Sequence, residues 1–105
     1  MNTYTFITDQ EHGWLKVSID ELKKLGIAKH ISNYSYMDLD SAFLEEDRDA
    51  LLFIAKVSKI NLSLPNSREL LSDWCAKHTK EIYEDNQYYI RGLERFHSNP
   101  DFWLN

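Results

Sequence analysis

The sequence predicts an α+β domain in which about three helices pack on one face of a mixed, mostly antiparallel sheet. Short apolar runs with a period of two residues alternate along the chain with helical patterns. The candidate strands are short and separated by turn residues, whereas a doubly wound parallel sheet requires longer apolar strands. A length of 105 residues predicts a single globular domain over residues 1–105.

The N-terminal residues are predicted to form a hairpin. Residues 4–8 form the first candidate strand, because Tyr4 and Phe6 lie on one face at period two. Residues 9–13 form a polar turn, and residues 14–17 form the second strand.

The best-specified element is a helix over residues 18–25. Ser18 and Glu21 form a capping box, in which the hydroxyl accepts from the Glu21 amide and the carboxylate reaches back. Gly26 ends the helix, because glycine adopts the left-handed conformation at low cost. Ile27 then stands where a Schellman motif would place its contact with Leu22.

The middle of the chain predicts a second hairpin and a second helix. Residues 31–37 and 42–45 are candidate strands on either side of a polar turn at residues 38–40. Asp47 is a candidate N-cap for a helix over residues 48–58, whose apolar residues form one broad stripe.

The C-terminal part predicts a strand, a third helix and a last strand. Residues 60–64 alternate apolar and polar side chains, and Asn66 is a candidate cap for the third helix. The end of this helix is left open, because residues 77–85 remain compatible with helix. Residues 87–93 are predicted to form the last strand.

Composition and charge limit the possible partners. A single cysteine excludes an intramolecular disulfide. The sequence shows neither a secretory signal nor an apolar run long enough to cross a bilayer. We therefore expect a cytoplasmic protein. The formal net charge is −5, without a basic stripe, which argues against direct nucleic-acid binding. A protein partner with a basic surface is the natural expectation.

Residues 38–49 concentrate this negative charge. The segment contains six acids and one base, Arg48, for a local charge of −5. The acids are Asp38, Asp40, Glu45, Glu46, Asp47 and Asp49. Together with Tyr34 and Tyr36 they are the candidate partner-binding residues, since charge complementarity selects partners and raises association rates. The alternative is that the acids form a solvated face and stabilise a helix start through its dipole.

Four short segments resemble a family of small uncharacterised bacterial proteins associated with prophages, plasmids and other mobile elements. These segments are HGWLKV at residues 12–17, LGI at 25–27, YSY at 34–36 and LEEDRD at 44–49. Arg48 stands where the family often has cysteine, which argues against a thiol role there. The resemblance implies a mobile-element accessory protein, a setting that often holds inhibitors of host defence such as CRISPR or restriction.

No catalytic, metal or cofactor site is predicted. Cys75 and His78 lie three residues apart on the third helix and can be neighbours, but an activated thiol also needs exposure and an orienting third group. The acidic run lacks the spacing of a calcium loop. We therefore expect a non-enzymatic protein, with a small enzyme that uses Cys75 and His78 as the alternative.

The C-terminal tail carries two large aromatic side chains, Phe102 and Trp103. A terminal segment of this kind must either dock or expose its rings. These residues are thus the candidate interface of a homodimer. A self-associating structural module is a third hypothesis for the function.

Overall fold

The predicted α+β class is confirmed, because a mixed six-stranded sheet packs with helices in the computed structural model, which describes residues 3–86 and 88–97. The strands are β1 (Tyr4–Thr8), β2 (Gly13–Ser18), β3 (Tyr36–Met37), β4 (Ser41–Glu45), β5 (Thr79–Tyr83) and β6 (Glu94–Arg95). The helices are α1 (Ile19–Lys24), α2 (Asp49–Ser58), α3 (Ser67–His78) and α4 (Tyr88–Arg91), with a 3-10 turn at Ala28–His30. The strand order is β5-β1-β2-β4-β3-β6; the β1–β5 pair is parallel, and the other four pairs in this order are antiparallel.

The pleat of the strands gives the sheet two unlike faces, since successive side chains point to opposite sides. Leu15 lies opposite Leu44 in the β2–β4 register, and these residues belong to the main core, to which α1, α2 and α3 contribute. Trp14 and Phe43 are in the alternate register positions. They form a second, smaller core with Tyr36 and Ile90, and Ile90 belongs to α4. Three helices therefore share one face, as predicted, and α4 packs on the other.

Helix α1 begins and ends where the sequence predicts. Ser18 Oγ accepts from the Glu21 amide at 3.1 Å. Gly26 has a φ of 75°, and the Ile27 amide donates to the Leu22 carbonyl oxygen at 3.0 Å, which is the Schellman geometry. The second half of the capping box differs from the prediction. The Glu21 carboxylate accepts from the Tyr4 hydroxyl at 2.7 Å and so ties α1 to β1.

Residues 60–64, predicted to be a strand, form turns. The Asn61 side chain accepts from the Ser63 amide at 2.9 Å and from Ser63 Oγ at 2.7 Å, and this local bonding competes with a ladder. Leu62 and Leu64 are consequently exposed. The strand lies instead in β5, where the sequence remains compatible with helix, because β1 provides a parallel partner.

Three further predicted boundaries are wrong. The segment from residue 31 becomes a strand only at Tyr36, and the predicted last strand is replaced by α4 followed by β6. The N-cap of α2 is Arg48 and not Asp47, and the Arg48 side chain forms no capping hydrogen bond.

We predict that Gly26→Ala lowers the free energy of unfolding by about 1 kcal/mol, because a left-handed φ is unfavourable for residues with a Cβ. A Cβ at this position meets no atom within 4 Å, so a steric clash would not account for the loss. Gly26→Asn is the matched control and should lose less, since asparagine tolerates this conformation. Urea unfolding measures both, and a Gly26→Ala variant as stable as the wild type would contradict the prediction.

Candidate functional site

A buried carboxylate joins the segment before β3 to α2. Asp49 is 1% exposed, and it accepts from the Ser32 amide at 3.1 Å, from Ser32 Oγ at 2.6 Å and from Ser35 Oγ at 2.5 Å. Ser35 also bonds in two other directions. Its Oγ accepts from the Glu45 amide at 2.9 Å, and its carbonyl oxygen accepts from the Phe96 amide at 2.9 Å. This set of bonds, the serine–aspartate network, connects α2, β4 and the residue after β6.

An open cavity of about 400 Å³ lies next to this network, and we call it the arginine–tyrosine cavity. It is lined by His12, Trp14, Tyr34, Tyr36, Glu45, Arg48, Arg91 and Arg95. Ser35 stands between the two lining tyrosines in the chain. Arg48 directly precedes Asp49, and Arg95 directly precedes Phe96. The network therefore fixes the backbone beside most of the lining residues.

Two guanidinium groups in this cavity pack on tyrosine rings. The guanidinium carbon of Arg48 lies 5.6 Å from the Tyr34 ring centroid, and that of Arg95 lies 5.1 Å from the Tyr36 ring centroid. Arg95 Nη1 also donates to the Asn33 carbonyl oxygen at 2.8 Å. Among the described residues, neither Arg48 nor Arg95 forms an ion pair with a carboxylate.

The third guanidinium group, that of Arg91, is held by the β1–β2 turn. Its Nη2 lies 3.3 Å from Asp9 Oδ2, and its Nη1 lies 3.4 Å from Glu11 Oε2. Burial alone would raise the pKa of Asp9. Hydrogen bonds from the Glu11 and His12 amides, together with the Arg91 charge, outweigh burial and lower this pKa. Asp9 therefore stays ionised at neutral pH and anchors Arg91.

Trp14 lines the cavity and carries a buried donor without a partner among the described residues. It is 2% exposed, and its indole Nε1 is buried without a hydrogen-bond partner among the described residues. The ring lies 6.4 Å from that of Tyr36 and 5.8 Å from that of His12, centroid to centroid. A buried donor without an acceptor costs about 1–3 kcal/mol and is uncommon in folded proteins.

The predicted acidic surface is divided. Asp38 and Asp40 lie in the β3–β4 turn, where Asp38 Oδ1 accepts from the Asp40 amide at 3.0 Å. The run of three acids that begins at Glu45 lies at the other end of β4, roughly 17 Å from Asp40 at the rise of a strand. Asp49 is buried in the serine–aspartate network and is no part of a surface. The six acids therefore do not form one contiguous face.

Glu46 and Asp47 border a second concavity of about 410 Å³ on the helical face of the sheet, and we call it the acidic groove. Its other lining residues are Phe6, Ala50, Leu51, Ile54, Leu62, Ser67, Arg68, Leu71, Ser72 and Cys75. Burial raises the pKa of Glu46, and the charges of Asp47 and Glu45 raise it further. A hydrogen bond with the Gly13 backbone and the His12 charge act in the opposite direction without cancelling these effects. Two carboxylates and one guanidinium group, that of Arg68, thus border a groove whose other lining residues are mostly apolar.

The structure does not pair the thiol and imidazole that the enzyme alternative requires. Burial raises the pKa of the half-buried Cys75 thiol, which disfavours the nucleophilic thiolate at neutral pH. The His78 ring lies 4.8 Å from the Trp74 ring, centroid to centroid. Within the described part of the chain, no hydrogen bond connects Cys75 Sγ to His78.

The other predicted sites are distributed as follows. Tyr34 and Tyr36 come together in the arginine–tyrosine cavity, whereas Phe102 and Trp103 lie outside the described residues. Within residues 3–86 and 88–97, no three histidine, cysteine or acidic side chains form a group that could hold a metal ion. No helix in the same residues has the length and the apolar character required to cross a bilayer.

Sequence reasoning missed most of the arginine–tyrosine cavity. Arg91 lies in the segment predicted to be the last strand, which is α4 in the structure, and no element is predicted at Arg95. Arg48 stands out in the sequence only as the single base of the acidic run and as the residue at the family's frequent cysteine position. His12 and Trp14 belong to the family resemblance, and neither is predicted as a site residue. The one available signal is that the HGWLKV, YSY and LEEDRD segments of that resemblance all contribute lining residues.

Comparison of the chain with protein-family models, with curated proteins and with solved structures yields no match. The resemblance to mobile-element proteins therefore stays a prediction.

We predict that Asp49→Asn lowers the free energy of unfolding by about 2–3 kcal/mol, because an amide group would face the buried serine donors in place of a carboxylate oxygen. Asp40→Asn makes the same charge change at an exposed site and should alter stability by less than about 0.5 kcal/mol. Urea unfolding at pH 7 compares the two variants. Equal losses would show that Asp49 has no special structural role.

We predict that Glu46→Gln stabilises the fold at pH 7. The pKa of Glu46 is higher in the folded state than the unfolded value of about 4.5, so ionisation of this side chain opposes folding. The stabilising effect of the neutral form is complete below the unfolded pKa and is lost as the pH rises through the folded pKa. The variant should therefore be more stable than the wild type at pH 7 and equal to it at pH 4. Glu81→Gln, on exposed β5, is the control in urea unfolding at both pH values. A stability difference that does not depend on pH would contradict the assignment.

Proposed function

We propose that this chain is a non-enzymatic binding protein that captures a protein partner through the acidic groove. The partner segment would place apolar side chains in the groove and a lysine or arginine beside Glu46 and Asp47. The observation that supports this proposal is that Glu46 and Asp47 border a largely apolar concavity in which acids outnumber the one base, Arg68. Neither Glu46 nor Asp47 forms an ion pair with any described residue.

The apolar lining would supply most of the affinity. Leu51 on α2 is half-buried and Leu62 on the connecting loop is 42% exposed, so both offer apolar surface, whereas Ile54 and Leu71 are buried. Covering such surface contributes about 25 cal/mol per Å² of apolar area removed from water. The carboxylates would then select among apolar segments, since charge complementarity affects specificity and association rate more than affinity.

The family resemblance extends this proposal to the kind of partner. An accessory protein of a mobile element would act on a protein of its bacterial host, and host-defence systems such as CRISPR or restriction are the natural candidates. Such proteins handle nucleic acid with lysine- and arginine-rich surfaces. An acidic chain that occupies a surface of this kind inhibits by blocking it, without catalysis.

The test compares two matched charge reversals. Asp47→Lys alters the acidic groove, and Asp40→Lys makes the same change at the far end of β4. Both positions are exposed, and neither side chain accepts a hydrogen bond from a described residue. Each tagged protein is used to capture partners from bacterial lysate. Retained proteins are identified by mass spectrometry, and binding to the purified partner is then measured by calorimetry.

We expect Asp47→Lys to weaken the partner's binding at least tenfold, which is about 1.4 kcal/mol. Asp40→Lys should leave the affinity within about twofold, and the wild-type complex should weaken as salt is added. A partner that binds both variants equally would contradict the acidic groove as the interface. A partner lost only with Asp40→Lys would move the interface to the β3–β4 turn.

A further inference from the structure

We propose that the arginine–tyrosine cavity binds a small phosphorylated ligand with a flat ring, of the nucleoside monophosphate class. This site is independent of the acidic groove. Trp14 and Tyr36 lie on one face of the sheet, whereas Phe6 and the helices that line the acidic groove lie on the other.

The charge of the cavity is opposite to that of the chain. Three arginines and one glutamate give the lining a formal charge of +2, on a protein whose net charge is −5. Asp9 and Glu11 offset one of these arginines, Arg91. The charges of Arg48 and Arg95 have no such partner among the described residues, and they lie in a concavity where an anion could reach both.

Trp14 supplies a second, independent indication. Its buried Nε1 donor has no acceptor among the described residues. The residue also lines a cavity in which most of the other polar groups are donors. Glu45 is the one carboxylate of the lining. A site with several donors and few acceptors is matched by a ligand that brings acceptor oxygens.

A phosphate monoester fits this donor set better than a carboxylate. Phosphate presents three strong acceptor oxygens, and the planar fork of arginine binds it in a bidentate manner. The aromatic lining indicates that the rest of the ligand is flat. The Tyr34 ring is 58% exposed at the cavity edge, where a base could stack on it. The volume of about 400 Å³ is in the range of small-molecule sites.

The surroundings of the cavity disfavour a nucleic-acid chain. Asp9 and Glu11 lie in the turn that holds Arg91, and Glu84 follows β5 at the same end of the sheet, where its amide donates to Thr8. A polymer would bring further phosphates against these carboxylates, and the chain lacks the basic stripe that releases their counterions. A single phosphate group avoids this repulsion.

The serine–aspartate network pre-organises the site. Tyr34 and Tyr36 flank Ser35, so the bonds made by Ser35 fix the backbone on both sides of it. The guanidinium groups of Arg48 and Arg95 pack on these rings. Binding would therefore order few side chains, which favours affinity for a small ligand.

The test uses isothermal titration calorimetry on the full chain with AMP, GMP, CMP and UMP. Inorganic phosphate, adenosine and a single-stranded oligonucleotide are the comparison probes. At least one monophosphate should bind with a Kd on the order of 10–100 μM, and each comparison probe should bind at least tenfold more weakly. Failure of all four monophosphates at 1 mM (about −4 kcal/mol) overturns the proposal. Adenosine or the oligonucleotide binding as tightly as the best monophosphate also overturns it.

Arginine variants locate the site. Arg48→Gln and Arg95→Gln should each weaken binding at least tenfold, whereas Arg68→Gln removes the same charge from the acidic groove and should change the affinity less than twofold. Urea unfolding confirms that each variant is folded, which is needed because Arg95 also bonds the Asn33 carbonyl oxygen. Equal losses in all three variants would place the ligand elsewhere.

The indole proton of Trp14 provides a second readout. Its ¹⁵N–¹H signal is assigned as the one missing from the spectrum of Trp14→Phe. It should shift when the monophosphate binds, because the Trp14 ring lines the cavity that the ligand enters. A signal that stays in place while the ligand binds overturns the placement of the phosphate in this cavity.

Discussion

The buried carboxylate of Asp49 is the interaction on which the other features of this structure depend. Ser32 and Ser35 donate to it, and Ser35 in turn bonds the backbone of β4 and of Phe96, which follows the edge strand β6. Segments far apart in the sequence are thereby held at one point. A carboxylate buried this deeply is tolerated because three groups donate hydrogen bonds to its oxygens. Removing the carboxylate would leave those three donors unsatisfied. The same bonds determine where the neighbouring tyrosines and arginines lie.

The pleat of the sheet places the two concavities on opposite faces, and the residues that line them differ in chemistry. The helical face is covered by three helices, and the groove beside α2 and α3 is largely apolar with two carboxylates in its lining. Among the described residues, the opposite face carries one short helix, α4, and its aromatic residues lie beside a cavity that is also lined by guanidinium groups. Two ligands of opposite charge would thus meet different sides of the same thin domain without competing for residues.

The parts of the fold that could be predicted from sequence are those with local signals. Ser18 and Gly26 specify α1 through bonds within a few residues, and the short strands around the first turn follow from period two. The strand β5 could not be predicted, because its order comes from pairing with β1 more than seventy residues away. Asp49 could not be distinguished from the other acids of its run, since only the serines that surround it in the fold make it buried. The acidic surface was therefore predicted too large, and the arginine–tyrosine cavity was missed.

The net charge of the chain and the local charge of a cavity influence the binding of different kinds of ligand. The value of −5 describes the field that a distant polyanion meets, and it argues against nucleic acid as a partner. Screening limits that field to about 8 Å at physiological salt, so a small ligand inside a concavity responds mainly to the groups that line it. In the arginine–tyrosine cavity the charged groups among these are three guanidinium groups and one carboxylate. An acidic protein can therefore hold a basic site, and the excess of acids around the site favours a ligand with one phosphate over a chain of them.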